Sequence, residues 1–404
     1  MSHTMHLDDV QIGQRIREIR IWRGMSLSAA AGLAGMSASY LSLLERGLRP
    51  VTRRATVEAL AHAFRVSPVD LTGRPHVSAT RAGSELCGAM APVAEALAAW
   101  SIGEFPDSTG RPWHEVTAEL GRFNTVLRAD SDYAAQTAIL PRLIGDLLAA
   151  VAEPTHRRTA LIGLIDAYHA TGNIARRLGY VGVPALAVER MRQAAHELDD
   201  PVWTAFVAWS RAHYLGGTNR SRQYELATRA ADSAGACPEI RGMANLTAAL
   251  AAAAQGRADI ARLHLSEAAA IADGIGADVG PWRGNVNMQF GRTNVGIWRV
   301  SIAVELGGGG RVAEIAAGVR PETITRSRQA GFWIDYGRGL LAERRTRDRG
   351  ITALLRAESL APQQVRNHLF LREAVAGLLA AARRDAGGRE LRGLAYRMGV
   401  APKE

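Results

Sequence analysis

Lysine is almost absent from this 404-residue chain: Lys403 is the only one, so every other residue among its 49 basic side chains is arginine. That scarcity excludes chemistries needing a lysine in a pocket, such as P-loop phosphate binding, protein-kinase phosphoryl transfer and Schiff-base formation. Cysteine is nearly as rare. Cys87 and Cys237 stand far apart, so neither a disulfide framework nor a cysteine zinc site is available. Long apolar runs are missing as well. The most apolar stretch, Leu246 to Ala254, falls well short of the about 18 residues that a membrane span needs. Met1 to Val10 carries charge and histidine but no apolar segment, unlike a secretory signal. The expectation is a soluble, cytoplasmic protein with no membrane partner.

Catalytic patterns are also lacking. His114-Glu115 opens like a zinc-protease motif, but Ala118 occupies the partner position, and the other histidines show no ligand spacing. There is no Gly-x-Ser-x-Gly elbow. Gly274, Gly276 and Gly280 miss the dinucleotide-binding spacing by one residue and follow a helical pattern instead of a strand. Gly307 to Gly310 reads as a connection between helices. No enzyme, metal or cofactor is expected.

What the chain does have is positive charge: a formal net charge of +10 and a pI of about 10.3. Two readings of the arginine excess stay open, GC-rich coding and polyanion binding, and its distribution helps to decide. From Arg15 to Arg65 there are nine arginines and three glutamates (Glu18, Glu45, Glu58), a local +6. Over the same stretch the apolar residues recur at helical spacing. Ile12, Ile16, Ile19 and Trp22 make one face of a first helix. Ser26 caps a second helix with Leu27, Ala30, Ala31 and Ala34 inward, and Gly35 follows where the chain must turn. Ser37 caps a third helix with Leu41 and Leu44 inward. A fourth runs from about Thr52 to Phe64 with Val57, Leu60 and Ala61 inward, and Val69 and Leu71 pack beneath it.

Two short helices joined by a glycine-containing turn are the helix-turn-helix unit. The stretch Ser26 to Gly47 resembles the Cro/cI-type (Xre) DNA-binding family. It carries an alanine four residues before the turn glycine (Ala31, Gly35), the apolar pair of the third helix and a closing Glu45-Arg46-Gly47. The resemblance implies a five-helix domain over residues 8–73. It implies an ion pair between Arg20 and Glu45, and a third helix lying in the major groove of double-stranded DNA. The positions matching base contact are Ser37, Ala38, Ser39 and Leu43, with Tyr40 and Ser42 close by. These side chains are mostly short, so shape readout should carry a large share of recognition. Arg46, Arg49, Arg53 and Arg54 lie beyond the third helix, where phosphate contact is expected. A four-helix bundle without DNA binding is the alternative.

Residues 74–114 read as a linker with one helix interrupted at Pro92, and 115–404 as an all-α repeat domain. Alanine and leucine recur at three- and four-residue spacing, with glycine- or proline-bearing breaks between. Arg241 to Asp273 (Gly256, Ala261, Leu265, Ala268) and Phe332 to Pro362 (Gly350, Leu354, Ala357) keep matching offsets. They resemble degenerate tetratricopeptide repeats of about 34 residues. Thr155 to Leu198, Pro201 to Ala236, Asn294 to Val319 and Val365 to Met398 fit more loosely. An irregular α-helical domain is the alternative. The stretch Pro281 to Arg299 is least repeat-like. Its amides and arginine (Asn285, Asn287, Gln289, Arg292, Asn294) and aromatics (Trp282, Phe290, Trp298) suit a ligand groove, or else a solvated loop over core aromatics.

A helix-turn-helix head on such a body resembles the one-component regulators of Gram-positive bacteria, and the composition looks actinobacterial. The resemblance implies a homodimeric transcription regulator whose body binds a peptide or small-molecule effector. A DNA-anchored interaction adaptor without a small ligand is the alternative.

Overall fold

The computed structural model describes residues 12–72, 81–107, 110–216, 219–233, 235, 237–279, 288–309, 311–382 and 388–400. The fold is all-α, with no strand among the described residues. Five helices form a head: α1 (Ile12–Trp22), α2 (Leu27–Leu33), α3 (Ala38–Glu45), α4 (Arg54–Phe64) and α5 (Pro68–Thr72). Its core comes from the periodic positions, with Ile12, Ile16, Ala30, Leu41, Leu44 and Leu60 fully out of solvent. Leu71 closes the core from α5; the Val69 side chain lies outside the described residues. Gly13 lets α1 approach α3, since a Cβ there would stand 2.0 Å from the Leu44 carbonyl oxygen. Trp22 departs from the expected apolar face and is 73% exposed. By its last turn α1 has run beyond the head core, and the Arg23 guanidinium stacks on the indole at 4.6 Å.

The body begins with α6 (Arg81–Ala99), which holds Pro92 inside it. Leu86, Met90, Val93 and Leu97 enter the main core of the body, so the segment read as a linker contributes packing there. Next come α7 (Trp113–Arg122), a π turn at Phe123–Leu127, and α8 (Tyr133–Ala150). Helix pairs follow: α9 (Arg157–Arg177) with α10 (Val183–Leu198), α11 (Pro201–Tyr214) with α12 (Arg220–Ser233), and α13 (Pro238–Ala254) with α14 (Ala258–Ile275). Two more are α15 (Arg292–Glu305) with α16 (Arg311–Ala317) and α17 (Arg326–Leu341) with α18 (Arg347–Leu360). The chain closes with α19 (Pro362–Arg366), α20 (Leu369–Ala382) and α21 (Arg389–Arg397).

The members of each pair pack on one another, and the first helices of successive pairs (α9, α11, α13, α15, α17) also touch in series. That series makes one layer of a repeat-like, two-layer arrangement in which each unit buries its apolar face against the next. Alanine permits the close packing: Ala244, Ala248, Ala251 and Ala252 of α13 are fully buried. Gly256 lies in the connection from α13 to α14, whereas Gly350 lies within α18. There it meets α17, where a Cβ on Gly337 would stand 3.2 Å from the Gly350 carbonyl oxygen.

The head is docked on the body through a buried cluster of charges. Glu305, at the end of α15, is 1% exposed. It accepts hydrogen bonds from the Arg54 backbone N–H at 2.7 Å and from Arg54 Nη1 at 2.6 Å. It accepts another from Arg338 Nη2 at 2.9 Å. Arg338 is itself 1% exposed; it also donates to the Thr52 carbonyl of the head and to Asp335. Burial alone would push the Glu305 carboxyl up, but Arg54 and Arg338 outweigh it and hold the group below the ordinary carboxylate range. Around this cluster Pro50 lies on Gly377, and Leu369 and Phe370 pack against the head core.

Breaking one member of a buried charge cluster leaves the others without compensation. Glu305→Gln places Arg54 and Arg338 beside a neutral amide, and is expected to lower unfolding free energy by about 3–5 kcal/mol. Urea unfolding checks this; a loss below about 1 kcal/mol, the size of a surface pair, would contradict the cluster.

Candidate nucleic-acid interface

Helices α2 and α3 are started by their own serines. Ser26 Oγ accepts from the Ala29 N–H and Ser37 Oγ from the Tyr40 N–H, both at 3.1 Å, satisfying amides that the first helical turn leaves open. Gly35, at φ +64°, takes the left-handed turn between them, a conformation that glycine alone enters without steric cost. The chain bends by 107° from α2 to α3, within the range of helix-turn-helix units. Arg20 fixes the far end of α3. Its Nε and Nη2 reach the two carboxylate oxygens of Glu45 at 2.6 and 2.8 Å, while Nη1 donates to the Met25 carbonyl at 2.9 Å. This fork-to-fork pair ties α1, the entry to α2 and the end of α3 into one rigid unit.

The opposite side of α3 faces outward. Ser37 and Ser39 are exposed; Ala38, Tyr40, Ser42 and Leu43 are half-buried, with the α3 core residues beneath them. Arg46 and Arg49 are exposed just past the helix, and the Arg49 guanidinium lies 5.0 Å from the Tyr40 ring centre. Arg54 differs from the expectation of phosphate contact. It is bound to Glu305 and turned into the head–body junction. Arg53 points the same way, its Nη1 lying 2.6 Å from where a Cβ on Gly307 would stand. The basic residues grouped in sequence therefore divide between an outward surface and an inward joint.

Among the described residues the amide-rich stretch does not assemble as one site. Asn285, Asn287 and Trp282 lie outside the described residues. Gln289 Oε1 accepts from the Thr325 N–H at 3.0 Å, and Arg292 pairs with Asp273 at 2.9 Å on the surface. Asn294 is fully buried and accepts from Arg328 Nη2 at 2.7 Å. Phe290 is core, packed where Gly242 leaves room on α13. Among the described members of this group only Trp298 lines a large cavity, a space of about 860 Å³ between the head and the body. That cavity is walled by α4 and α5 on one side and on the other by residues of the first helices, of α10 and α12, and of the α19–α20 region. Its arginines, Arg176, Arg177 and Arg328 among them, escaped the sequence reading. Basic residues near a helix end also suit the helix dipole, so nothing in the local pattern set Arg176 and Arg177 apart.

Residues 11–74 match the family model described as a helix-turn-helix domain. The head is a helix-turn-helix domain. Comparison with curated proteins and with solved structures gave no match. Among the described residues no group of histidine, cysteine, aspartate and glutamate is placed to hold a metal ion, and no single helix is long and apolar enough to cross a membrane.

The division of the arginines predicts the salt dependence of duplex binding. Arg46→Ala and Arg49→Ala should each weaken binding across sequences and reduce the slope of log affinity against log salt by about one. Arg53→Ala and Arg54→Ala should leave that slope unchanged. Gel-shift titrations across salt concentrations read both; equal slope changes for all four variants would contradict the division.

Proposed function

We propose that the protein is a one-component transcription regulator of the Cro/cI (Xre) kind, acting as a homodimer. Its head reads DNA, and its body, of tetratricopeptide-like helix pairs, receives a signal. The observation carrying this reading is the capped α3, held by Arg20–Glu45 with Ser37, Ser39, Arg46 and Arg49 outward, in the segment that matches the helix-turn-helix family. In the major groove the first turns of α3 approach base edges while Arg46 and Arg49 reach phosphates. The side chains at the base-facing positions are short, so groove shape carries much of the discrimination.

The cavity between head and body favours a sensor over an adaptor without a small ligand. At about 860 Å³ it falls in the size range of small-molecule sites, and it touches the head directly at Val57, Glu58 and Pro68. A ligand there contacts both parts of the molecule, so it changes affinity for DNA to the extent that it prefers one arrangement of head and body.

Footprinting on genomic fragments tests the reading. The expected result is two protected half-sites related by a dyad, about 10 base pairs apart centre to centre or a multiple of that spacing. Absence of any protected site even in dilute salt contradicts it.

A further inference from the structure

The charge balance of the head–body cavity is uneven in a specific way. Three carboxylates line it, and each is already engaged: Glu58 with Arg220 at 3.5 Å, Glu189 with Arg192 at 2.9 Å, and Asp335 with Arg338 at 2.6 Å. Of its arginines, Arg54 belongs to Glu305 and Arg222 to Glu225. Arg176 and Arg177 at the end of α9, Arg211 of α11 and Arg328 of α17 have no carboxylate within 4.0 Å among the described residues. Arg176 meets the His213 ring at 3.4 Å, and Arg328 meets Asn294 and the face of Trp298. Neither contact neutralises a charge.

The crowding is mutual. Burial, then Arg177 and Arg54, pull the Arg176 guanidinium down to about 9; burial, then Arg177, pull Arg328 down to about 10 against a smaller opposing pull from Asp335. Burial and the surrounding arginines likewise hold His213 and His368 well below the ordinary imidazole value, so both are neutral near pH 7. Among the described residues, the buried polar atoms of this wall that lack a hydrogen-bond partner are Arg176 Nε, Arg220 Nε, Arg328 Nε and Trp298 Nε1, all donors, and His368 Nδ1. Unpaired buried donors beside arginines that lack a carboxylate partner within 4.0 Å call for a ligand rich in acceptor oxygens and negative charge. Leu186, Leu250, Ile334 and Phe370 provide apolar wall for the rest of it.

We propose that this cavity is the effector site, and that it takes a small molecule bearing at least two anionic oxygen groups, carboxylate or phosphate, on an apolar body. The proposal rests on the sensor reading above and gives it a ligand class. Arg54 lines the cavity and also holds Glu305, so an anion seated there competes for a residue that docks the head. Ligand and DNA-binding domain are thereby linked through one guanidinium.

The test uses the full chain without DNA. Pyrophosphate and citrate serve as probes in calorimetric titration, against sodium chloride at matched ionic strength. At least one should bind saturably, and their ranking separates phosphate from carboxylate preference. Arg177→Gln and Arg328→Gln should each weaken binding about tenfold or more, whereas Arg177→Lys should retain part of it. Without probe, Arg177→Gln should melt no lower than the parent, because it removes a charge that repels Arg176 and Arg328. Absence of saturable binding, or binding unchanged in both glutamine variants, overturns the proposal. So does a lower melting temperature for Arg177→Gln, which would make that arginine structural. Gel shifts on the same preparations keep the two readings apart: a protein that binds the probe but no duplex loses the regulator reading and keeps the anion site.

Discussion

The carboxylate of Glu305 is the centre of the charged contact between the two parts of this molecule, beside the Glu58–Arg220 pair and the apolar seat made by Pro50, Leu369 and Phe370. It lies between a guanidinium of the head, Arg54, which is half-buried, and one of the body, Arg338, which like Glu305 is cut off from bulk water. Such a cluster is expensive to bury, and apolar residues of the same volume are often as stable. What charges add is geometry. The two Arg54 donors and Arg338 converge on one carboxylate, and Arg338 reaches the Thr52 carbonyl in turn. The position of Glu305 is set by α15, the fourth of the first helices, so the orientation of the head follows from the stacking of the body.

Two consequences follow from that docking. The α4 and α5 side of the head is committed to the body, which leaves α3 and the exposed Arg46 and Arg49 facing outward. The head also roofs a space that the body would otherwise leave open. The first helices of successive pairs each contribute residues to the cavity wall, and several of these residues are arginines without carboxylate partners. In a core built for stability alone, that arrangement is costly, because like charges repel strongly where water is scarce. Residues that oppose stability are a common mark of a binding site.

The head was legible from its sequence because its determinants are local. Ser26, Gly35 and Ser37 act within three or four residues of where they stand, and Ile12, Ile16, Leu41 and Leu44 reveal their face by spacing alone. Arg20 and Glu45 came from resemblance and not from spacing, since 25 residues separate them. Helix pairs in the body were readable for the same local reason, and Thr155 to Leu198 and Pro201 to Ala236 each enclose one. Partners set by tertiary packing were not readable. Arg54 and Glu305 are 251 residues apart, and nothing near either names the other. Asn294 looks like a groove residue in sequence because amides suit ligands, yet in the fold it faces inward to hold Arg328. Trp22 shows the limit of periodicity: a helix can keep its apolar rhythm after it has left the core.

Docking of the head is the claim on which the cavity, the division of the arginines and the proposed coupling all depend. Pro50 and Gly377 offer a direct measure of it, because a Cβ on Gly377 would lie 3.3 Å from the Pro50 Cβ, just under the roughly 3.5–4.5 Å of a disulfide. In a chain with Cys87 and Cys237 replaced by serine, Pro50→Cys with Gly377→Cys should oxidise to an intramolecular disulfide in air. Near-complete cross-linking of the folded protein, read by mass spectrometry, is the predicted result. Two thiols that stay reduced while the protein remains folded would show that the head is not seated on the body.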